Sequence, residues 1–219
     1  MFTYLQEDYG CPPLARRVVR TKVPKPRNIT ITDAERAKLL EAAPPNLRCL
    51  ILMCSDLAIR SGTATRLSPH HYDSEQGTLS FRTKYDNTQT VPVTSELKAL
   101  LDMAAIPDAP FVAQLPRGTH RVTGWRIPNR PTLTAENLRE RFQRLCKDCG
   151  ITRRIRLHDL RRTTARKVWG MTKDLRLVQG LLGHDDLSST LWYLQAERMV
   201  VPLSTLELAR LPTQTEGVQ

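Results

Sequence analysis

Residues 46–59 read NLRCLILMCSDLAI, apolar around most of a helical circumference instead of along one stripe. A helix of that kind has to be enclosed by other elements, so the segment predicts a largely buried helix that ends at Arg60. An arginine set against so much apolar surface is costly unless a partner or a polyanionic ligand meets its guanidinium. Ahead of it, TDAE (Thr32–Glu35) has the form of a capping box, and Leu39, Leu40 and Ala43 supply an apolar stripe. A first helix therefore starts at Thr32, and Pro44 and Pro45 divide it from the buried one.

From Thr78 the period changes to that of strands. TLSFRTKYDNTQTVPV gives two short strands around a polar turn at Asp86 and Asn87, hence a β-hairpin carrying Lys84. Ser95–Ala105 reads as an amphipathic helix, and Phe111–Pro131 as a long basic loop with Arg117, Arg121, Arg126 and Arg130. Thr134 caps a further helix that ends at Gly150. The class is mainly α (α+β), with a small antiparallel sheet or hairpin. At 219 residues and 40% hydrophobic content the chain has material for one substantial core.

The densest polar chemistry lies between Leu157 and Leu194. His158 and Arg161 are three apart and share a helical face, a planar donor fork beside an imidazole. Gly183 interrupts the apolar period of Leu175, Val178, Leu181 and Leu182, and His184 follows at the break. On one straight helix His184 and Tyr193 would lie about 13 Å apart along the axis. Asp185 and Asp186 are N-cap residues, which predicts a fresh, reoriented helix that folds the tyrosine back toward the histidine. Singly, each feature has an ordinary reading: HxxR as a surface pair, Tyr193 between Trp192 and Leu194 as a core aromatic, GH as a helix end. Their conjunction is what points to a phosphate-handling site.

Charge points the same way. Thirty-three Lys and Arg against 22 acids leave a net +11, which favours a polyanionic partner. Residues 15–27 concentrate Arg16, Arg17, Arg20, Lys22, Lys25 and Arg27 among prolines, an extended arm able to follow a DNA backbone. Arg162, Arg166 and Lys167 add phosphate-binding potential beside Arg161. No apolar run has the length a bilayer needs, and MFTYLQEDYG lacks a signal peptide's pattern, so no membrane and a cytoplasmic location are expected. Five cysteines fit that compartment as free thiols. The single CxxC, Cys146 and Cys149, has no second pair at zinc-finger spacing, and no metal is expected.

LHDLRRTTA (157–165) and LLGHDDLSSTLWY (181–193) resemble the HDLRHTxAT and LLGHxxxxTTxxY patterns of tyrosine recombinases, the phage integrase family. The interval from His184 to Tyr193 matches residue for residue. LAIRSGTATRLSPHHYD (57–73) is similar to the family's TGLRxxELLxLxxxD, which places Arg60 on its first catalytic arginine and Leu67 on its core leucine. The hairpin resembles the family's TK-turn-VPL element and places Lys84 on its mobile lysine. Thr63 stands where the family usually has an acid, a departure that implies altered packing or a reduced rate. His70 and His71 take no family role and read as a polar turn. The resemblance divides the chain into a basic, proline-containing arm or linker (1–28), a helical catalytic domain (29–200) and a tail (201–219) that in the family often docks on a neighbouring protomer. The arm leaves no room for the helical core-binding domain that usually precedes this one.

The resemblance also implies a chemistry. Arg60 and Arg161 would meet the non-bridging oxygens of a phosphodiester, His158 and His184 would exchange protons with the phosphorane or the phenol, and Lys84 would protonate the departing 5′ oxygen. Tyr193 would attack to give a 3′-phosphotyrosine, with no cofactor required. The implied partner is double-stranded DNA, bound by a homo-oligomer that is tetrameric on synapsed sites and monomeric when free. Two other readings use the same inventory: DNA relaxation in the manner of a type IB topoisomerase, and a catalytically silent DNA-binding relic.

Overall fold

The computed structural model describes residues 29–83, 87–115 and 135–194. The basic arm with Arg16, Arg17 and Arg20, the hairpin tip with Lys84, the expected cap at Thr134 and the C-terminal tail lie outside the described residues.

The capping box forms as expected. Thr32 Oγ1 accepts the Glu35 N–H at 3.2 Å and Glu35 Oε2 accepts the Thr32 N–H at 2.9 Å, which opens helix α1 (Asp33–Ala42). Pro45 then starts helix α2 (Pro45–Ser55), suited to a first turn whose N–H groups have no intrahelical partner. Nearly every α2 residue is buried, and the helix is packed by its neighbours on several sides. It stops before the Ile59 expected from periodicity. Ala58 adopts φ 50°, a left-handed conformation that cannot continue a right-handed helix. Arg60 consequently caps the next short helix, α3 (Ser61–Ala64), instead of ending α2.

The hairpin is observed, with one more strand than a hairpin needs. Strands β1 (Tyr72–Asp73), β2 (Thr78–Arg82) and β3 (Thr88–Pro92) form an antiparallel sheet in that order. Leu79 pairs with Val91, and both turn into the core with Phe81. His70 and His71 do sit in a turn, a 3-10 segment over Pro69–His71 in which His71 Nδ1 accepts the Ser68 N–H at 3.2 Å. Helix α4 (Ser95–Leu101) is shorter than expected, and the supposed basic loop begins with a short helix, α5 (Phe111–Gln114), because Phe111 and Val112 are buried there.

Helix α6 (Ala135–Asp148) buries Leu138, Phe142 and Leu145, spaced i, i+4 and i+7 along one face. It gives way at Gly150, φ 73°. Helices α7 (Leu157–Thr172), α8 (Leu175–Leu182) and α9 (Leu187–Leu194) follow. The fold is mostly helical with one small antiparallel sheet.

Candidate active site

Helix α7 places His158 and Arg161 one turn apart at its N-terminal end. Arg161 is 2% exposed, and its guanidinium donates from Nη1 to the Ala58 carbonyl and from Nη2 to the Leu182 carbonyl at 2.6 Å. The Leu182 carbonyl belongs to the last turn of α8, where no helical N–H is available. One arginine therefore ties together α7, the segment after α2 and the end of α8.

Gly183 ends α8 with φ 52°, and its position is demanding in a second way. A Cβ there would meet Gln89 Oε1 at 2.7 Å and Thr83 Cγ2 at 3.2 Å. The sheet comes this close because the Gln89 amide donates to the Gly180 and Leu181 carbonyls at 3.0 Å each, and Asn87 Nδ2 donates to Asp185 Oδ1 at 2.7 Å. These latches were not foreseen, since nothing in a strand's period shows what its side chains reach. Beyond the corner, the Asp186 carboxylate accepts the Ser189 N–H at 2.7 Å and starts α9 afresh.

The new helix direction returns Tyr193 to the histidines. Its ring lies edge-on to His158 (centroids 5.2 Å, 89°) and to His184 (5.5 Å, 80°). The Arg161 Cζ is 5.9 Å and the Arg162 Cζ 5.1 Å from the ring centre. Arg60 closes the set, reaching from Nη2 to the Gly183 carbonyl at 3.5 Å. Arg60, His158, Arg161, His184 and Tyr193 are thus brought together, while Lys84 falls outside the described residues.

Electrostatics follow from enclosure among cations. Tyr193 is 5% exposed, and burial pushes its phenol up to about 12 against the opposing pull of Arg161 and Arg162. Arg161 is near enough to favour the phenolate, yet among the described residues no group meets the geometry of a hydrogen bond to Oη. Burial first, and then the Arg161 and Arg162 charges, lower His158 to about 4 even though its edge stays exposed. Burial, Arg161 and Arg60 lower His184 to about 4 in the same way. Both imidazoles are neutral near pH 7, each able to donate from one nitrogen and accept at the other. His184 Nδ1 lies 3.1 Å from Oγ1 of Thr190, a fully buried residue that sequence reading passed over.

Three other expected residues sit away from this centre or turn inward. Arg162 is 5% exposed and packs beneath Tyr193 instead of standing on the surface. Arg166 donates to Thr30 Oγ1 at 3.3 Å, and Lys167 pairs with Asp33, so both fasten α7 to the start of α1. Thr63 is half-buried on α3, its N–H donating to the Arg60 carbonyl at 2.8 Å. A groove of ≈ 880 Å³ that sequence reading missed runs up to His158, lined by Arg139, Arg144, Lys147, Arg154 and Arg156 with Glu136 and Glu140. Its visible signals are Arg144 and Lys147 three apart on α6 and the basic run TRRIR at 152–156.

Comparison with known proteins gives the site its context. Residues 30–199 match the profile of the phage integrase family. Tyrosine recombinase XerA of Pyrococcus furiosus is 25% identical over 187 residues, covering 82% of this chain and 61% of the relative. The chain thus spans about three fifths of the length of that curated relative. Among solved structures, the catalytic domain of bacteriophage HP1 integrase superposes with a TM-score of 0.57 at 16% identity, covering 87% of this chain and 98% of that one. The XerH site-specific recombinase bound to difH substrate, in a pre-cleavage complex, gives 0.58 at 22% identity, covering 88% and 55%. At these identities the two structures speak for the fold, and the profile match speaks for descent. With the profile spanning most of its length and an integrase catalytic domain sharing its fold, this chain belongs to the phage integrase family of tyrosine recombinases.

Proposed function

We propose that this chain is a site-specific DNA recombinase that cleaves and rejoins double-stranded DNA through a 3′-phosphotyrosine. The observation that carries the reading is the placement of the Tyr193 ring edge-on to both His158 and His184, beside the guanidinium of Arg161. A phosphodiester repels nucleophiles by its charge. Arg60 and Arg161 would offset that charge on the non-bridging oxygens, most strongly as the phosphorane forms.

Burial holds the phenol above its ordinary value, so Tyr193 is protonated at neutral pH. A preformed phenolate is scarce at neutral pH, so attack needs a base acting in the same step, and a neutral imidazole is competent for it. The Tyr193 Oη–P bond forms as the P–O5′ bond breaks. The phenolic proton passes to a histidine, and Lys84 supplies a proton to the departing 5′ oxygen. Attack by a 5′ hydroxyl reverses each transfer and reseals the strand with no energy source.

The net charge of +11 and the basic groove leading to His158 support duplex DNA as the partner. Exchange between two sites requires paired protomers, so we place the working form as a tetramer on synapsed DNA. The test uses nicked suicide substrates drawn from DNA flanking the gene. The expected result is a denaturation-resistant protein–DNA adduct, absent in Tyr193→Phe, with exchange between two defined sites. Relaxation of plasmid without exchange would replace recombination by a topoisomerase activity. DNA binding with no adduct would remove the catalytic reading.

A further inference from the structure

We infer that Arg162 is a positioning residue for Tyr193, holding the phenol ring in the site and standing as a cation against it that stays in place during the reaction. The inference rests on the proposed reading of Tyr193 as nucleophile.

The chain places Arg162 next to Arg161 on α7, where surface display would be the ordinary outcome for an arginine. Instead it is 5% exposed. A buried guanidinium is retained only where something compensates its desolvation. Asp159, itself 2% exposed, is one compensating group, with Oδ1 at 4.0 Å from Arg162 Nη1. Its other oxygen accepts the Arg156 N–H at 2.9 Å, which fixes the carboxylate. The pair is loose at that distance, and the guanidinium also lies over Tyr193, with Cζ 5.1 Å from the ring centre. That is within the range of a cation–π contact, and nearer than the 5.9 Å of Arg161.

The two arginines differ in what a substrate would ask of them. On the proposed reading Arg161 also faces the phosphate, whereas Arg162, beside Asp159 and nearer the ring, remains to offset negative charge growing on Oη. Among the described residues, the other groups facing the phenol are His158 and Arg161 from α7, His184 at the α8–α9 corner and Cys54 of α2. Burial holds the Cys54 thiol up near 12, so it brings no charge at neutral pH.

The experiment places 3-fluorotyrosine at position 193, which lowers the phenol's own pKa into an accessible range, and follows its ionisation by fluorine NMR in the DNA-free protein. Wild type is compared with Arg162→Lys, Arg162→Met and the double variant Asp159→Asn, Arg162→Met, which removes the buried carboxylate's charge together with the cation and guards against a folding failure. Arg162→Met should titrate about one pH unit higher than wild type, the double variant, which also loses the Asp159 charge, higher by a smaller amount, and the lysine variant close to wild type. In single turnover on the suicide substrate, the rate profile of the methionine variants should move to higher pH by the same amounts. Equal titration midpoints in all four proteins, or equal rate losses in the lysine and methionine variants with no movement of the profile, would overturn the inference. Absence of any adduct from wild type would overturn the proposed function instead, while the fluorine titration still reads the effect of Arg162.

Discussion

The large apolar cluster, running from Ile31 through α2, the sheet and α6 to Leu160, and the small one of Ala58, Ala165, Val178, Leu182, Tyr193 and Leu194 meet across α7 but are held differently. In the large cluster each element contributes its own apolar period, and Leu50, Ile51, Leu52 and Met53 are fully enclosed. Apolar burial, at about 25 cal/mol per Å², acts there beside a few directed bonds such as that of the Ile31 N–H to Thr163 Oγ1 at 3.0 Å. The small cluster has few such residues and shares its interior with Arg161, Arg162 and Thr190. It is fastened by directed bonds, chiefly those of Arg161 to Ala58 and Leu182 and of Gln89 to the end of α8. The scaffold is therefore tolerant where the site is exacting, and the two should fail separately.

The strongest way to break that comparison pairs Leu50→Ala with Arg161→Ala. Leu50→Ala opens a cavity in the large cluster and should cost about 2–5 kcal/mol, read as a lower urea midpoint. The rate of adduct formation per folded molecule should be unchanged. Arg161→Ala leaves the Ala58 and Leu182 carbonyls without a donor, at about 1–3 kcal/mol each, and on the proposed reading lowers the adduct rate by about 10³-fold or more. If Leu50→Ala slows the chemistry of the folded fraction as much as Arg161→Ala does, the two clusters are one unit.

Acid should separate them more gently. His158 and His184 are held near 4 in the folded chain against an ordinary value of 6.5. Between those values the unfolded chain binds more protons than the folded one, so stability falls as pH drops from 6.5 toward 4 and is recovered as pH rises. His158 is exposed at its edge and His184 only half-buried, which reduces the effect to about 1 kcal/mol. Hydrogen exchange should show α8 and α9 amides losing protection in that window while α2 amides keep theirs, and His184→Gln should flatten the dependence. Equal loss in α2 would count against separate clusters.

How much of this was legible in the chain divides along the same line. The large cluster was readable because capping boxes, helical stripes and strand alternation are local. α1, most of α2, the hairpin and α6 all follow from them. The reorientation at Gly183–Asp186 was readable too, since a glycine and a cap act on their own neighbours. Arg162 turning inward, Gln89 reaching α8 and the early end of α2 at Ser55 were not, because each is decided by a residue far along the chain. The family pattern supplied Arg60 and Thr63 by position. Lys84 and the arm with Arg16, Arg17 and Arg20 lie outside the described residues, so the first rests on the resemblance and the second on the charge of the sequence.

The smallest expected effect sharpens the comparison furthest. Ala58 is fully buried and left-handed, φ 50°, at the position where the family pattern has glycine. Replacing it with glycine relieves about 1–2 kcal/mol of backbone strain. The same change removes a buried methyl worth about 0.8 kcal/mol and adds about 0.5–1 kcal/mol of chain entropy to the unfolded state. The terms nearly cancel, so Ala58→Gly should shift stability by about 0.5 kcal/mol or less in either direction, with an unchanged denaturant slope. That balance explains how alanine is tolerated here: its methyl belongs to a cluster too small to discard one, and its carbonyl is already pinned by Arg161. A stabilisation clearly above 1 kcal/mol would mean that the methyl packs poorly and that the small cluster is held by its hydrogen bonds alone. A loss of that size would mean that apolar contact contributes more to the site than the six buried members among the described residues imply.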